Sequence, residues 1–340
     1  MLSFREGLQA AGLTGIFSLR DNFATYPRNL REILRVLTLP DARLDAAAHE
    51  ELWEKSAADA QGIACLDTDT AVVTLKDEML LVSSSSGAEF EQVDRRANVA
   101  HFADQTSPRL EGCGHFSDLD HSEGLIFFVF EVEGQAGGLF ACDVDFNVVG
   151  YTVLDADASD SCCAVHPWTG LLYTKDRSAP GKRLRAYDVS AYRKRFEEGP
   201  GPEWGTPVDI ERRPAHDIDL RDESGTPMTV LGDIQGIAFS PNGRVYLSHW
   251  TSYENLVATF FVNYLSIYSG LTGRRMWFSD EIDFEGDGDE IEGLSLVVSK
   301  GELYVIQVDN DVELDEYYLR RWRLPDELVA QARGQVGLII

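Results

Sequence analysis

The chain has 340 residues, 44% hydrophobic and 10% aromatic, enough apolar material to bury a core without disulfides or metals as scaffolding. Its 57 acidic residues against 30 basic ones give a formal charge of −27, a field that repels nucleic acid and anionic membrane and favours small-molecule or cationic partners. The five cysteines are odd in number, with Cys162 and Cys163 adjacent and no CxxC pair, which argues against a disulfide framework or a thiolate zinc site.

Five free thiols suit a reducing compartment. No basic segment followed by an apolar core opens the chain, and no apolar run approaches the ~20 residues of a membrane helix. The expected location is therefore cytoplasmic.

Residues 1–58 differ from the rest and read as a helical or extended segment packing on the main domain, 59–340. Stretches 29–37 and 46–58 have helical character, with Asp45 as an N-cap for the second. The same segment is also able to donate a strand.

Self-similarity begins at Asp59-Ala-Gln-Gly-Ile-Ala64. His115-Phe-Ser-Asp-Leu-Asp120 takes the matching place in a second unit and Asp160-Ser-Cys-Cys-Ala-Val165 in a third. Asp233-Ile-Gln-Gly-Ile-Ala238 and Glu290-Ile-Glu-Gly-Leu-Ser295 open the fourth and fifth. A Gly turn with an aromatic three residues on then recurs at Gly124/Phe127, Gly170/Tyr173, Gly243/Tyr246 and Gly301/Tyr304, the mark of a tight hairpin.

A third apolar-patterned run follows in these four units: 139–143, 184–188, 265–269 and 319–323. The spacing predicts an all-β fold, a single β-propeller of about five four-stranded blades. The long interval between the third and fourth units carries a charged, Pro/Gly-rich stretch at 192–205. It reads as a surface loop, or as part of a sixth blade.

The runs DAQGIA, DIQGIAFSPNGRVYLS, and DEIEGLS followed by GELYVI resemble the β-propeller superfamily, especially bacterial gluconolactonase-like, phytase-like and NHL-like propellers, over roughly 59–325. In the gluconolactonase-like families a Glu opening one blade, with Asn or Asp side chains from others, holds a divalent cation in the central channel. The resemblance implies Glu292 as such a metal ligand and Ca²⁺ as the cofactor. Gln61 and Gln235 depart from an acidic ligand set.

Propeller topology brings strand-one starts and strand-two ends to one face of the channel. There, His115, Asp118 and His249 are the candidate catalytic groups, a His near an Asp being a possible general base. Gln61, Gln235, Asp233 and Asp309 are candidate ligand-binding groups. Three readings of these polar positions stay open: hydrogen-bonded caps of blade contacts, oxygen ligands around Ca²⁺, or direct catalysis.

Cys162 and Cys163 read as small buried residues in preference to nucleophiles. The acidic run at 280–290 is no EF-hand, because with Asp283 at position one the twelfth residue is Leu294. No GxSxG, Walker, HExxH or GxGxxG motif occurs. The expected function is small-ligand binding at a polar channel face, with Ca²⁺-dependent hydrolase, lyase or isomerase chemistry as its catalytic form. The alternative is a non-catalytic interaction scaffold.

Overall fold

A computed structural model describes residues 49–323, apart from the connecting stretches 57–59, 68, 84–90, 133–136, 156, 180–181, 229–231, 241–242, 255–258, 280–281, 283–288, 298–301 and 310–315. The 29–37 helix, Asp59 and the acidic 283–288 stretch thus lie outside the described residues.

The first strand, β1 (His49–Ser56), pairs with the last, β21 (Glu316–Arg323), and not with its neighbour in sequence. Between them the chain forms four-stranded antiparallel units one after another. The first holds β2 (Ala60–Cys65), β3 (Thr70–Leu75), β4 (Glu78–Ser83) and β5 (Glu91–Asn98). The second holds β6 (Cys113–Ser122), β7 (Leu125–Val132), β8 (Gly138–Asp143) and β9 (Val148–Val153).

The third has β10 (Ala158–Val165), β11 (Leu171–Asp176) and β12 (Arg183–Asp188), its outer row split between β13 (Glu211–Arg212) and β14 (Ile218–Asp219). The fourth has β15 (Asp233–Phe239), β16 (Arg244–Glu254), β17 (Thr259–Ser269) and β18 (Arg275–Phe278). β19 (Asp289–Val297) and β20 (Glu302–Asp309) precede β21 in the fifth, and β1 completes it. The first strands of the five units pack side by side around a ring, with β19 returning to β2. The five units read from the sequence are these five blades.

The Gly-turn-aromatic signature does two jobs. Gly124, Gly170 and Gly243 have φ of 82°, 65° and 75°, which the hairpin turns require and L side chains resist. The aromatic three residues on is buried against the following blade. Phe127 packs with Cys163 and Val165, and Tyr173 with Ile237 and Val245. Tyr246 packs with Leu294 and Leu303, and Tyr304 with Ile63 and Val73. One repeated side chain thus supplies much of the apolar glue between blades.

Two expectations are corrected. Residues 46–58 are not helical where described: His49–Ser56 is β1. Local propensity favours a helix there, but antiparallel pairing with β21, more than 260 positions away in sequence, satisfies its backbone and closes the ring. The 192–205 stretch is not simply a loop, and no sixth blade is found among the described residues. After α1 (Val99–Asp104), the next helix is α2 (Ser190–Glu198), which runs into this stretch. No described helix is long and apolar enough to cross a membrane.

The insertion that α2 begins runs along the rim of three blades. On blade two, Val208 N donates to Tyr151 O and Ser107 N donates to Gly205 O, both at 2.8 Å. Arg195 Nη1 donates to Val149 O at 3.1 Å and Thr206 O at 2.9 Å. The insertion then supplies β13 and β14 to blade three. On blade four, Arg221 N donates to Gly273 O and Arg275 N donates to Arg221 O, both at 2.8 Å.

Candidate functional site

The repeated Gln-Gly and Glu-Gly pairs encode β-bulges. Pairing of β2 with β3 slips between Ala60 and Gly62, leaving Gln61 unmatched. Pairing of β15 with β16 slips between Ile234 and Gly236, leaving Gln235 unmatched. On β19 the slip spans Ile291 to Leu294 and frees Glu292 and Gly293. On β6 one slip falls at His115 and a second between Phe116 and Leu119, which includes Asp118. A bulge re-aims the extra residue out of the ladder. Gln61, His115, Gln235 and Glu292 thus each sit in a bulge of an inner strand.

The glycine of each pair is needed for a different reason. A Cβ on Gly62 would stand 2.6 Å from the Asp118 Cα. On Gly236 it would stand 2.7 Å from the Leu294 nitrogen, and on Gly293 2.5 Å from the Gly62 Cα. Only bare backbone lets the inner strands approach this closely, so the hub of the ring is packed with glycine.

Asp118 occupies that hub. It is 0% exposed, and its Oδ2 accepts from Ile237 N at 3.2 Å, across from blade two to blade four. Its Oδ1 is buried and has no hydrogen-bond partner. Burial, with smaller pushes from Asp120 and Glu292, holds its carboxyl well above the usual carboxylate range, against the Ile237 and Leu119 amides.

His115 lies near the start of β6 with a φ of 40°, an uncommon backbone for a residue with a Cβ. Its Nε2 lies 3.0 Å from Gln61 Oε1, linking blades two and one. His115 and Asp118 therefore take different partners, and no His–Asp hydrogen bond joins them. Gln61, His115 and Gln235 remain partly open to solvent, while Glu292 is 7% exposed.

The other sequence candidates scatter. His249 is fully buried on the blade-three side of blade four, with Nε2 3.1 Å from Ser266 Oγ and its ring beside Tyr264 and Phe278. Burial, more than nearby Arg275, lowers its pKa to about 3, so it stays a neutral imidazole. Asp233 is exposed, and its carboxylate meets the buried Lys175 ammonium of blade three at 2.6 Å. Asp309 ends β20, paired along the backbone with Asp289 and Glu316.

Cys162 and Cys163 are buried between blades, their thiols directed at the carbonyls of Ile234 and of Asp118 and Phe127. Burial pushes the Cys163 thiol well up, the opposite of an activated nucleophile.

Asp120 is a residue that the sequence reading passed over. It lies two positions after Asp118 on β6, and its Oδ2 accepts from Val165 N of blade three at 2.7 Å. Burial raises its pKa to about 6, partly offset by the Val165 and His121 amides. The alternation along β6 was the signal available for it.

Among the described residues no three His, Cys, Asp or Glu side chains converge.

No protein-family model and no curated protein matches the chain. Several solved structures do. The tail fiber of Staphylococcus aureus phage P68 is 14% identical, with a TM-score of 0.46 over 86% of this chain and 56% of that one. A glycosyl hydrolase from Bacteroides ovatus is 12% identical, TM-score 0.42, over 86% of this chain and 92% of that one. The WD40 β-propeller domain of Doa1 is 10% identical, TM-score 0.39, over 80% of this chain and 97% of that one.

The chain is a five-bladed β-propeller. The chain spans a little over half of the tail fiber, and at these identities the likeness concerns architecture alone. In this propeller the inner strands carry polar residues in their bulges, and the Asp118 carboxyl is buried between blades two and four.

Proposed function

We propose that the propeller binds a small polar ligand at the channel mouth ringed by Gln61, His115, Gln235 and Glu292. The observation that carries this reading is the set of bulges. All five inner strands break their ladder, and in four of them the bulge holds a side chain able to hydrogen-bond: Gln61, His115, Gln235 and Glu292. Bulges beside sites commonly re-aim side chains in this way.

The backbone at His115 supports the reading, since a positive φ at a residue with a Cβ is kept where the surroundings fix it. The carboxyl of Glu292 and the amide oxygens of Gln61 and Gln235 favour a ligand carrying hydrogen-bond donors. An interaction scaffold would present a broad apolar face. Among the described residues the large hydrophobics that are exposed are Val144 and Val153.

The test is a thermal-shift screen of amines, sugars and lactones, with and without CaCl₂, on wild type, His115→Ala and Gln235→Ala. A hit should bind about three- to tenfold more weakly to each variant, the loss of one hydrogen bond of about 0.5–1.5 kcal/mol. A hit that binds both variants as well as wild type, or that maps to the hairpin-turn face near His166, refutes the site.

A further inference from the structure

We infer that Gln61 is a positioning residue for His115: it holds the imidazole with its hydrogen on Nε2 and leaves Nδ1 as an acceptor that a ligand must satisfy with a hydrogen of its own. The second half rests on the reading of the mouth as a ligand site, and the first concerns the free protein.

The tautomer follows from the partners. His115 Nε2 lies 3.0 Å from Gln61 Oε1. An amide oxygen only accepts, so Nε2 carries the hydrogen and donates it. A neutral imidazole has one N–H, which makes Nδ1 a bare acceptor. Among the described residues no other hydrogen bond reaches this half-buried ring.

The ring keeps its place because the bulge that carries it is stitched to blade one. Phe116 N donates to Lys76 O at 2.8 Å. Thr74 Oγ1 donates to Ser117 O at 2.6 Å, and both residues are buried. With the Gln61 contact, three successive residues of β6 each bond to blade one. The φ of 40° at His115 is a conformation that persists only where the surroundings fix it, and these bonds are such surroundings.

Gln61 is fixed in turn. It is the extra residue of the β2 bulge, and Gly62 after it is packed so closely that a Cβ would stand 2.9 Å from Thr74 Oγ1. The bulge that carries Gln61 and the stitch that holds the His115 segment therefore meet at Thr74.

This arrangement selects among ligands. A group that only accepts, such as an ether oxygen, would set lone pair against lone pair at Nδ1. A hydroxyl or an N–H supplies the missing hydrogen.

The experiment is ¹⁵N NMR of the full chain labelled at histidine, at about pH 9, where an ordinary imidazole is neutral. The His115 signals are assigned by their loss in His115→Asn. Wild type should show an Nε2–H proton in slowed exchange with water and an unprotonated Nδ1. Gln61→Met keeps the length of the side chain and removes the acceptor, so the Nε2–H signal should be lost to exchange. Gln61→Glu keeps an acceptor and should restore it. A space-filling role for Gln61 would leave the signal in Gln61→Met. The ligand probes are ethylene glycol and its dimethyl ether, which share a skeleton and differ in the hydroxyl hydrogens. The glycol should shift the Nδ1 resonance saturably, and the ether should not.

A hydrogen on Nδ1 in wild type, or an Nε2–H signal that survives in Gln61→Met, overturns the positioning role. Where that role holds, an equal response to the two probes, or none to either, overturns the ligand half and counts against the mouth as a site, not against Gln61. Should Gln61→Met fail to fold, wild type decides alone: Nε2–H exchange as fast as that of free imidazole refutes the hydrogen bond.

Discussion

The glycine hub makes a sharp prediction at Gly62. Adding one methyl, Gly62→Ala, would set a carbon 2.6 Å from the Asp118 Cα, 2.9 Å from Leu119 Cδ2 and 2.9 Å from Thr74 Oγ1. Carbon atoms rest at about 3.5–4.0 Å, so the shortfall against backbone is roughly 1 Å. Side chains can rotate away, but the Asp118 backbone is locked into the neighbouring inner strand. Overpacking of this kind costs about 1–3 kcal/mol, and a clash with backbone belongs at the upper end.

An unfolding entropy of about 2.1 cal/mol/K per residue then converts about 3 kcal/mol into a fall of roughly 5 °C in melting temperature for a domain of this size. Gly114 on β6 is the control. A Cβ there meets nothing within 4 Å, and its φ is not positive. Gly114→Ala should be neutral, or stabilise by about 0.4–1 kcal/mol through the unfolded chain. Calorimetry on the two variants checks this. Equal melting temperatures, or a larger loss at Gly114, would refute the claim that the Gln-Gly glycine exists to let inner strands touch.

Two further outcomes are expected. His249 stays neutral down to about 3 in the fold but takes a proton near 6.5 when unfolded, so its contribution is lost as pH falls through that window. His249→Asn should flatten the decline in stability between pH 6 and 4 by up to about 1.4 kcal/mol per pH unit, measured by urea titration, with Asp120 giving an opposing slope that both proteins share. A thiol reagent should find five free cysteines under denaturing conditions without reductant, and in the native state should label the partly exposed Cys65 and Cys113 before buried Cys142, Cys162 and Cys163. Three or fewer thiols in fresh protein would contradict this.

The blades were legible because their signals are local. Gly170 and Tyr173 are three residues apart, and the turn and the interblade contact they encode are settled within one hairpin. β1 was legible only as the alternative in which the N-terminal segment donates a strand: its partner lies at the far end of the chain, and 46–58 carries residues that suit a helix when read alone. The Gln-Gly repeat was visible, but its meaning was not. A bulge appears only when a strand is set against its partner, and that register also decides which way His249 points. Two residues after Leu247, it shares the face turned toward blade three, and so lies between blades instead of over the channel. Asp118 was picked out as a site acid beside His115, yet no spacing rule says that a carboxyl will cross to blade four and close the hub.

The rim insertion has a consequence for how the ring comes apart. Blades two, three and four are joined at the hub by their inner strands and again at the circumference by the segment following α2. Parting any two of these blades breaks two concentric sets of hydrogen bonds at once, so this arc opens as a unit or not at all. The remaining sector holds the seam where β1 meets β21, secured by pairing between the two ends of the described chain. The protein is in this sense a clasped bracelet, its clasp the pairing of β1 with β21.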